Sequence, residues 1–202
     1  MIAIVDYGMG NLRSVQKALE KVGAEARVIA SPRELAGARG IVLPGVGAFG
    51  QAMDNLRAAG WVEPLRDACS GGVPFIGICL GMQLLFESSE EMGQHTGLGI
   101  LAGGVKRFNG DLKVPQMGWN QIRLKQSSAL LGGVADGSYA FFVHSYYCAP
   151  RDPSIVLATT DYGIEFASVV GRANVFGAQF HPEKSQSIGL KMLDNFARIA
   201  EL

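Results

Sequence analysis

The chain opens with an apolar run followed by an amphipathic stretch. Residues 1–6 form the apolar run, and Asn11 can then cap a helix. The apolar residues of this helix fall on one stripe and are followed by Gly23 as a stop; they are Leu12, Val15, Leu19 and Val22. The pattern predicts a strand followed by an amphipathic helix.

Strand and helix patterns continue to alternate through residue 88. Apolar runs typical of buried strands occupy residues 25–31, 40–44 and 74–79, and helical patterns occupy residues 48–59, 61–69 and 80–88. Strands that alternate with helices indicate βαβ units. Such units build a mostly parallel sheet that is covered by helices on both faces.

The second half of the chain has a different pattern. Strand-like runs are separated there by Gly, Asp, Asn and Pro turns; they cover residues 103–108, 114–124, 138–149, 154–160, 164–170 and 173–181. A closing helix over residues 187–201 carries Ile188, Met192, Phe196 and Ile199 on one face. The predicted fold is α/β, with an open, mostly parallel sheet flanked by helices and antiparallel strands in the C-terminal half.

Composition and charge fit one globular domain spanning residues 1–202. Of the 202 residues, 48% are hydrophobic and 18% are charged, a balance that excludes a disordered chain. The 18 basic and 18 acidic residues cancel, and no basic run would attract a phosphate backbone. Nucleic acid is therefore not an expected partner.

We expect neither a membrane span nor an exported protein. Residues 68–86 carry no charge, but Gly, Ser and Pro interrupt the segment and its centre reads as a buried strand. The three cysteines, Cys69, Cys79 and Cys148, are an odd number and widely spaced, and the chain opens without a charged leader. A reducing cytoplasm is the simplest compartment.

Candidate chemistry centres on residues 77–81, which read Gly-Ile-Cys-Leu-Gly. This is the form of a nucleophile elbow, with Cys79 on a sharp turn between strand and helix and a glycine two positions to either side. The small residues remove the clashes that such a strained turn would create. The start of a helix favours a thiolate, and the N–H of Leu80 can hold an oxyanion. Cys69 and Cys148 lack these glycines and are expected to be packing residues.

A base for this nucleophile is expected at His181. Glu183 lies two residues further on, so in an extended backbone both side chains leave the same face and the carboxylate can orient the imidazole. Pro182 stiffens the segment. Without Cys79, the same segment would be interpreted as a solvated turn at a strand end. For His144, which stands in an aromatic run, a structural hydrogen bond is expected instead.

A second glycine-rich stretch, residues 44–50, reads Pro-Gly-Val-Gly-Ala-Phe-Gly. It matches the dinucleotide fingerprint G-x-G-x-x-G formally, but the next strand lacks the acidic residue that the fingerprint requires about 20 positions later. The alternative is that this loop lies beside the elbow and provides the second half of an oxyanion hole.

Residues 77–83 (GICLGMQ) together with the HPE at 181–183 resemble the class I, triad-type glutamine amidotransferases, and the resemblance covers nearly the whole chain. Several further stretches are similar to one branch of that family, the glutaminase subunits of imidazole glycerol phosphate synthase; they are DYGMGNLRSV, LPGVGAFG, CLGMQLLFESSEE, VPQMGWN, FVHSYY and GAQFHPEKSQ. The resemblance implies a flavodoxin-like fold and no cofactor or metal.

The resemblance also implies a role for each matching residue. Cys79 attacks the side-chain amide of L-glutamine, His181 acts as general base and acid, and Glu183 holds His181. The N–H of Leu80 holds the oxyanion together with a peptide that must reorient. The other matches are Val46 and Gly47 around that peptide, Gln83, Glu91, Ser145 and Tyr146 at the glutamine, and Asn11 and Lys184 facing a partner.

The partner implied by the resemblance is a (β/α)₈ cyclase subunit, with which the chain would form a heterodimer. The cyclase uses the ammonia to make imidazole glycerol phosphate and an aminoimidazole carboxamide nucleotide. The chain itself has no P-loop, no basic cluster for a bisphosphate substrate and no metal-ligand spacing, as expected of a half-enzyme. Three alternatives stay open: a glutaminase of the pyridoxal phosphate synthase type, a catalytically silent partner-binding module, and a papain-type hydrolase, whose local signature is absent.

Overall fold

Fourteen strands and five helices make up the fold within residues 1–110 and 112–201, which the computed structural model describes. The strands are β1 (Ile2–Val5), β2 (Ala26–Ile29), β3 (Gly40–Gly45), β4 (Phe75–Cys79), β5 (Phe86–Ser89), β6 (His95–Thr96), β7 (Leu101–Arg107), β8 (Gln116–Gln121), β9 (Arg123–Leu124), β10 (Tyr139–His144), β11 (Tyr146–Pro150), β12 (Val156–Asp161), β13 (Glu165–Arg172) and β14 (Val175–Ala178). The helices are α1 (Leu12–Lys21), α2 (Phe49–Ala58), α3 (Val62–Ser70), α4 (Leu80–Leu84) and α5 (Gln186–Ile199).

Eight of these strands form the main sheet, in the order β2-β1-β3-β4-β14-β13-β12-β9. The strands from β2 to β14 in this order are parallel, and β13, β12 and β9 extend the sheet in antiparallel fashion. A four-stranded sheet (β11-β7-β5-β6) and a two-stranded ribbon (β10-β8) complete the strands. The predicted α/β architecture, with antiparallel strands in its second half, is confirmed.

Side chains alternate along β1, so both faces of the main sheet are apolar. Ile2 and Ile4 share one core with apolar residues of α1 and α5. Ala3 and Val5 share the other core with α2, α3 and the four-stranded sheet. The central strands are therefore buried on both faces, which explains why their sequences are continuous apolar runs.

Helix α1 begins and ends where the sequence predicts. The Asn11 side chain accepts a hydrogen bond from the Ser14 N–H at 3.4 Å and caps α1, while Gly23 adopts a φ of +85° just beyond it. Within the described residues, every helix is too short or too polar to span a bilayer.

The predicted helix over residues 80–88 is wrong in its second half. Helix α4 ends at Leu84, and Phe86–Ser89 is a strand that pairs with β7 and β6. A short apolar run fits either structure, and the pairing with a distant strand decides between them. The predicted strand over residues 114–124 is likewise divided, because β8 joins the ribbon whereas β9 joins the edge of the main sheet.

Candidate active site

The candidate site lies beyond the carboxyl ends of the parallel strands β3, β4 and β14. Ligands of open α/β sheets bind in this position. Register places Gly45 of β3 opposite Cys79 of β4, and β14 lies on the other side of β4. The segment that leads to His181 leaves the end of β14. Three stretches that are far apart in sequence are thus brought together at one edge.

Cys79 has the backbone conformation of a nucleophile elbow. Its φ is 55° and its ψ is −111°, values that an L-residue adopts only under strain. The strand β4 ends at Cys79, and helix α4 begins at Leu80. Helix α4 has only five residues, so the N–H of Leu80, rather than a long helix dipole, is what the elbow offers to an anion.

Both glycines of the elbow are sterically required. A Cβ on Gly77 would clash with the backbone of Gly81 and Met82, and a Cβ on Gly81 would overlap the carbonyl oxygen of Leu43 in β3. Neither glycine has a positive φ, so the requirement comes from close packing and not from backbone freedom.

Gly81→Ala is therefore expected to lower the free energy of unfolding by about 3 kcal/mol or more, because the added methyl meets backbone atoms that cannot yield. Urea unfolding of the variant measures this loss. The matched control is Gly132→Ala, where the nearest atom to the new methyl is 3.4 Å away and φ is −55°. Equal stability of Gly81→Ala and wild type would contradict the packing argument.

His181 and Glu183 form a buried hydrogen-bonded pair. The Nδ1 of His181 donates to Oε1 of Glu183 at 2.8 Å, and the two side chains are 2% and 1% exposed. The expected extended segment is wrong, however. His181 is extended, but Pro182–Lys184 is a 3₁₀ turn, and Pro182 occupies its first position. The turn brings the carboxylate back onto the imidazole.

The turn is held against strand β10. The N–H of His181 donates to the carbonyl of Phe141 at 3.0 Å, and the hydroxyl of Ser185 accepts from the N–H of Phe141 and donates to the carbonyl of His181. These bonds hold the backbone of His181 and the turn that follows it against β10, and so fix the position of the imidazole.

The protonation of His181 follows from its neighbours. Burial lowers the pKa of His181, but the Cys79 thiol and the Glu183 carboxylate outweigh burial and raise this pKa to about 9. Nε2 of His181 is buried and has no hydrogen-bond partner among the described residues. Because Nδ1 donates to Glu183, Nε2 is the atom available to exchange a proton near Cys79. The imidazole is charged at neutral pH.

A cavity of about 260 Å³ opens in front of Cys79. This volume is below the range of about 300 to 1,000 Å³ that is usual for drug-sized ligands, so it suits a molecule the size of one amino acid. Its lining includes all the predicted oxyanion and substrate residues; they are Val46, Gly47, Leu80, Gln83, Glu91, Ser145 and Tyr146. Pro115, Val143 and His144 complete it.

Several of these residues are also tied to the protein itself. Oε2 of Glu91 accepts from the N–H of Phe49 at the start of α2, at 2.7 Å. The carbonyl of Tyr146 accepts from Nε2 of Gln83 at 2.9 Å and from Nδ1 of His144 at 2.8 Å. Burial lowers the pKa of His144 to about 4, so this ring is neutral and has the structural role that the sequence predicted. The same ring also lines the cavity.

The loop of residues 44–50 lies beside the elbow, not at the first strand as in a dinucleotide-binding fold. Gly47 has a φ of +103°, a conformation that favours glycine. A Cβ on Gly45 would lie 2.5 Å from the hydroxyl of Tyr7 and 3.0 Å from Cβ of Leu80. The loop is therefore packed directly against the start of α4.

The structure places the two predicted partner-facing residues outside the cavity. Asn11 caps α1, and Lys184 is exposed on the 3₁₀ turn, next to Glu183. One buried polar residue was missed by the sequence analysis. Gln179, two residues before His181, points its amide nitrogen at Sγ of Cys79 from 3.9 Å. The signal was a glutamine inside the apolar run that precedes His181.

Sequence comparison finds full-length relatives. A sequence model of glutamine amidotransferase class-I matches residues 3–200. The imidazole glycerol phosphate synthase subunit HisH of Desulfitobacterium hafniense strain Y51 is 54% identical over 198 residues, which cover 98% of this chain and 94% of that protein. The subunit of the same name from Syntrophotalea carbinolica is 55% identical over 203 residues, covering 97% and 98%.

Solved structures with low identity share the fold. A structure described as a glutamine amidotransferase aligns with a TM-score of 0.79 at 20% identity and covers 100% of both chains. A chain of the PurLQS structure from Thermotoga maritima aligns with a TM-score of 0.76 at 19% identity, covering 99% of this chain and 96% of that one. The family match over residues 3–200 and relatives of more than 50% identity lead to one conclusion: the chain belongs to the class-I glutamine amidotransferase family.

Proposed function

We propose that residues 1–202 form the glutaminase subunit of an imidazole glycerol phosphate synthase, which hydrolyses L-glutamine and passes the ammonia to a (β/α)₈ cyclase. The observation that carries the proposal is the strained Cys79, which lines the cavity and is close enough to the buried His181–Glu183 pair to raise the pKa of His181. The relatives more than 50% identical are imidazole glycerol phosphate synthase subunits, which supports this branch over a pyridoxal phosphate synthase glutaminase.

In the first half of the reaction, Cys79, whose proton has passed to Nε2 of His181, attacks as a thiolate, and its Sγ bonds to the side-chain amide carbon of glutamine. His181, charged at neutral pH, gives its Nε2 proton to the departing nitrogen, and ammonia leaves as the carbon–nitrogen bond breaks. The product on the enzyme is a glutamyl thioester. Glu183 keeps Nδ1 occupied, so that Nε2 is always the reacting nitrogen.

In the second half, water attacks the thioester carbon. Nε2 of His181, now neutral, takes a proton from this water, and the thioester bond breaks to give glutamate and the thiolate. Both steps pass through an oxyanion. The N–H of Leu80 is one donor, and a peptide at Val46 and Gly47 is the second, because both residues line the cavity beside Cys79.

The substrate would be held by groups with unused hydrogen-bonding capacity. Both N–H groups of Gln83 are committed to the protein, to Tyr146 and to Gln179, so its Oε1 is the atom left for the ammonium group of glutamine. Glu91 lines the same cavity and adds a carboxylate to it. We assign to these two residues the amino end of the substrate, and to the main chain at Ser145 and Tyr146 the rest of it.

The cyclase would dock on the outer face of the β8–β10 ribbon. Register places Met117, Trp119 and Tyr139 on one side of this ribbon, and they are 68%, 47% and 56% exposed. Large exposed apolar side chains that cluster in this way mark a binding surface. Phe141 of the ribbon is hydrogen-bonded to His181 and Ser185, so the surface continues to Lys184 on the turn between them. We assign Asn11 to the same partner.

We also assign the chain to the cytoplasm. All three cysteines are free and buried, as a reducing compartment permits.

The proposal predicts that the isolated chain is a poor glutaminase and is activated by its partner, most strongly when the partner holds its nucleotide. Loop 44–50 contains three glycines and can adopt more than one backbone state, so the second oxyanion donor need not be in place at rest. One missing donor lowers turnover by roughly 10² to 10³. Activation of that size is expected.

The test measures glutamate release by the chain alone, by the chain with a (β/α)₈ cyclase, and by the complex with nucleotide or an analogue. Co-purification with the cyclase would be scored in parallel. Full activity of the isolated chain, unchanged by partner or nucleotide, would favour a free-standing amidase and contradict the proposal.

A further inference from the structure

Gln179 is a buried amide that the mechanism above does not use. It follows directly after β14 and is fully buried, with its own N–H bonded to the carbonyl of Ser168 at 2.9 Å. Its side chain lies between two residues of the site. Oε1 is 3.1 Å from Nε2 of Gln83, and Nε2 is 3.9 Å from Sγ of Cys79.

The orientation of this amide is dictated by a chain of hydrogen bonds. The carbonyl of Tyr146 can only accept, so Gln83 must present its NH₂ group to it. The second N–H of that group faces Gln179, which must therefore present its oxygen to Gln83. The remaining NH₂ group of Gln179 is left pointing at Cys79.

The sulfur of Cys79 thus has two different polar neighbours. The carbonyl of Val143, 3.9 Å away, can accept a hydrogen bond from the thiol but offers nothing to a thiolate. The NH₂ group of Gln179 can only donate, and a donor to an anion is worth more than a donor to a neutral sulfur. Gln179 consequently favours the charged form of the nucleophile, and Val143 the neutral form.

We infer that Gln179 is a positioning residue for Cys79: it orients the sulfur toward the cavity and stabilises its thiolate, and Gln83 clamps it in that orientation. The inference rests on the proposed function, since it assumes that Cys79 is the nucleophile. Gln179 and His181 leave the same segment two residues apart, so one stretch after β14 provides both a donor to the thiolate and the proton carrier.

Several other ionisable groups surround Cys79. Glu91 and His144 line the cavity with it, and burial lowers the pKa of His144 to about 4, so this ring is neutral over the range of the test. Burial, and then Cys79 itself, raises the pKa of Tyr7 and of Cys148 well above their usual values, so neither ionises before strongly alkaline pH. His181, with its partner Glu183, titrates at about 9. Below that pH, a thiol reagent therefore reports on the sulfur of Cys79 beside a charged His181.

The experiment is the pH profile of alkylation of Cys79 by iodoacetamide in the full chain, with the modified cysteine located by mass spectrometry. Gln179→Met removes the donor, and its profile is expected to move up by about one pH unit, while kcat for glutamine falls about tenfold. Gln179→Glu keeps the acceptor that Gln83 needs but replaces the donor with an oxygen. We expect it to shift the profile at least as far while KM stays near the wild-type value.

Thr160→Val is the matched control. Thr160 is fully buried on β12, three strands from β4, and its hydroxyl has no partner among the described residues. This change of a buried polar group should leave the profile in place. If both Gln179 variants fold, as judged by circular dichroism, and their profiles superimpose on that of wild type, the inference is overturned.

Failure of the inference can be told apart from failure of the proposed function. The alkylation profile needs no glutamine, and loss of hydrolysis in Cys79→Ala tests the function separately. If the Gln179 variants have unchanged profiles and Cys79→Ala is inactive, only the role of Gln179 is rejected. An active Cys79→Ala removes the proposed function.

Discussion

Cys79→Ala is expected to abolish glutamine hydrolysis by the complex, with a loss of about 10⁴-fold or more, because Cys79 is the cysteine that lines the cavity and forms the thioester. Synthesis driven by added ammonia should persist, since the thiol acts only in releasing ammonia. The measurement is glutamate release from glutamine, set beside product formation by the same complex with an ammonium salt. Substantial glutaminase activity in the variant would show that Cys79 is not the nucleophile.

The other two cysteines are the internal control for this result. Cys69 and Cys148 are buried in the core that contains α2 and α3, and neither lines the cavity. Burial raises the pKa of Cys69 to about 12, so this thiol stays neutral and unreactive. Cys69→Ala and Cys148→Ala should lower stability through lost packing and leave the turnover of the folded enzyme close to that of wild type.

His181→Ala is expected to be nearly as damaging as Cys79→Ala, because members of one catalytic unit lose their effect together. Glu183→Gln should bind glutamine normally but turn it over more slowly, since an amide at this position can still accept from Nδ1 but does not stabilise the charged ring. Steady-state kcat and KM for both variants make the comparison. Equal activity of His181→Ala and wild type would remove the triad interpretation.

The same pair predicts a dependence of stability on pH. The pKa of His181 is about 9 in the folded chain and about 6.5 when unfolded, so the folded state holds its proton more tightly. The resulting stabilisation is fully present below pH 6.5 and is lost as pH rises through about 9. Urea unfolding of wild type and of His181→Ala at several pH values should show their stability difference narrowing over that interval.

The strand β5 shows what periodicity alone could not decide. Residues 80–88 contain apolar side chains at spacings that fit a helix, yet only Leu80–Leu84 is helical. Phe86–Ser89 becomes a strand because β7, which begins at Leu101, and β6 lie alongside it. A local pattern carries no information about which distant segment will be available for pairing.

The contact between His181 and Glu183 is predicted correctly from the sequence, but for the wrong reason. The spacing suggested an extended segment, but Pro182 begins a 3₁₀ turn. The carboxylate still reaches Nδ1, because the bonds from Phe141 and Ser185 hold the turn in place. Those bonds join segments about 40 residues apart, so residues 181–183 alone do not predict them.

By itself, the sequence determined the features that depend on neighbours along the chain. The alternation of strands and helices predicted the sheet, because it rests on local periodicity, and the glycine pattern at 77 and 81 predicted the strained turn at Cys79. The need for Gly77 is local, since its neighbours are Gly81 and Met82, whereas Gly81 is required by Leu43 of β3. Only the tertiary structure decided which groups share the cavity. Parallel pairing of β4 with β3 and β14 places Gly45, Cys79 and Gln179 side by side and aims Gln179 at the sulfur of Cys79. The same packing brings Cys79 and Glu183 to His181, and these two neighbours outweigh burial and keep the imidazole charged. Burial and register are properties of the whole packed sheet, which is why no single stretch of sequence revealed them.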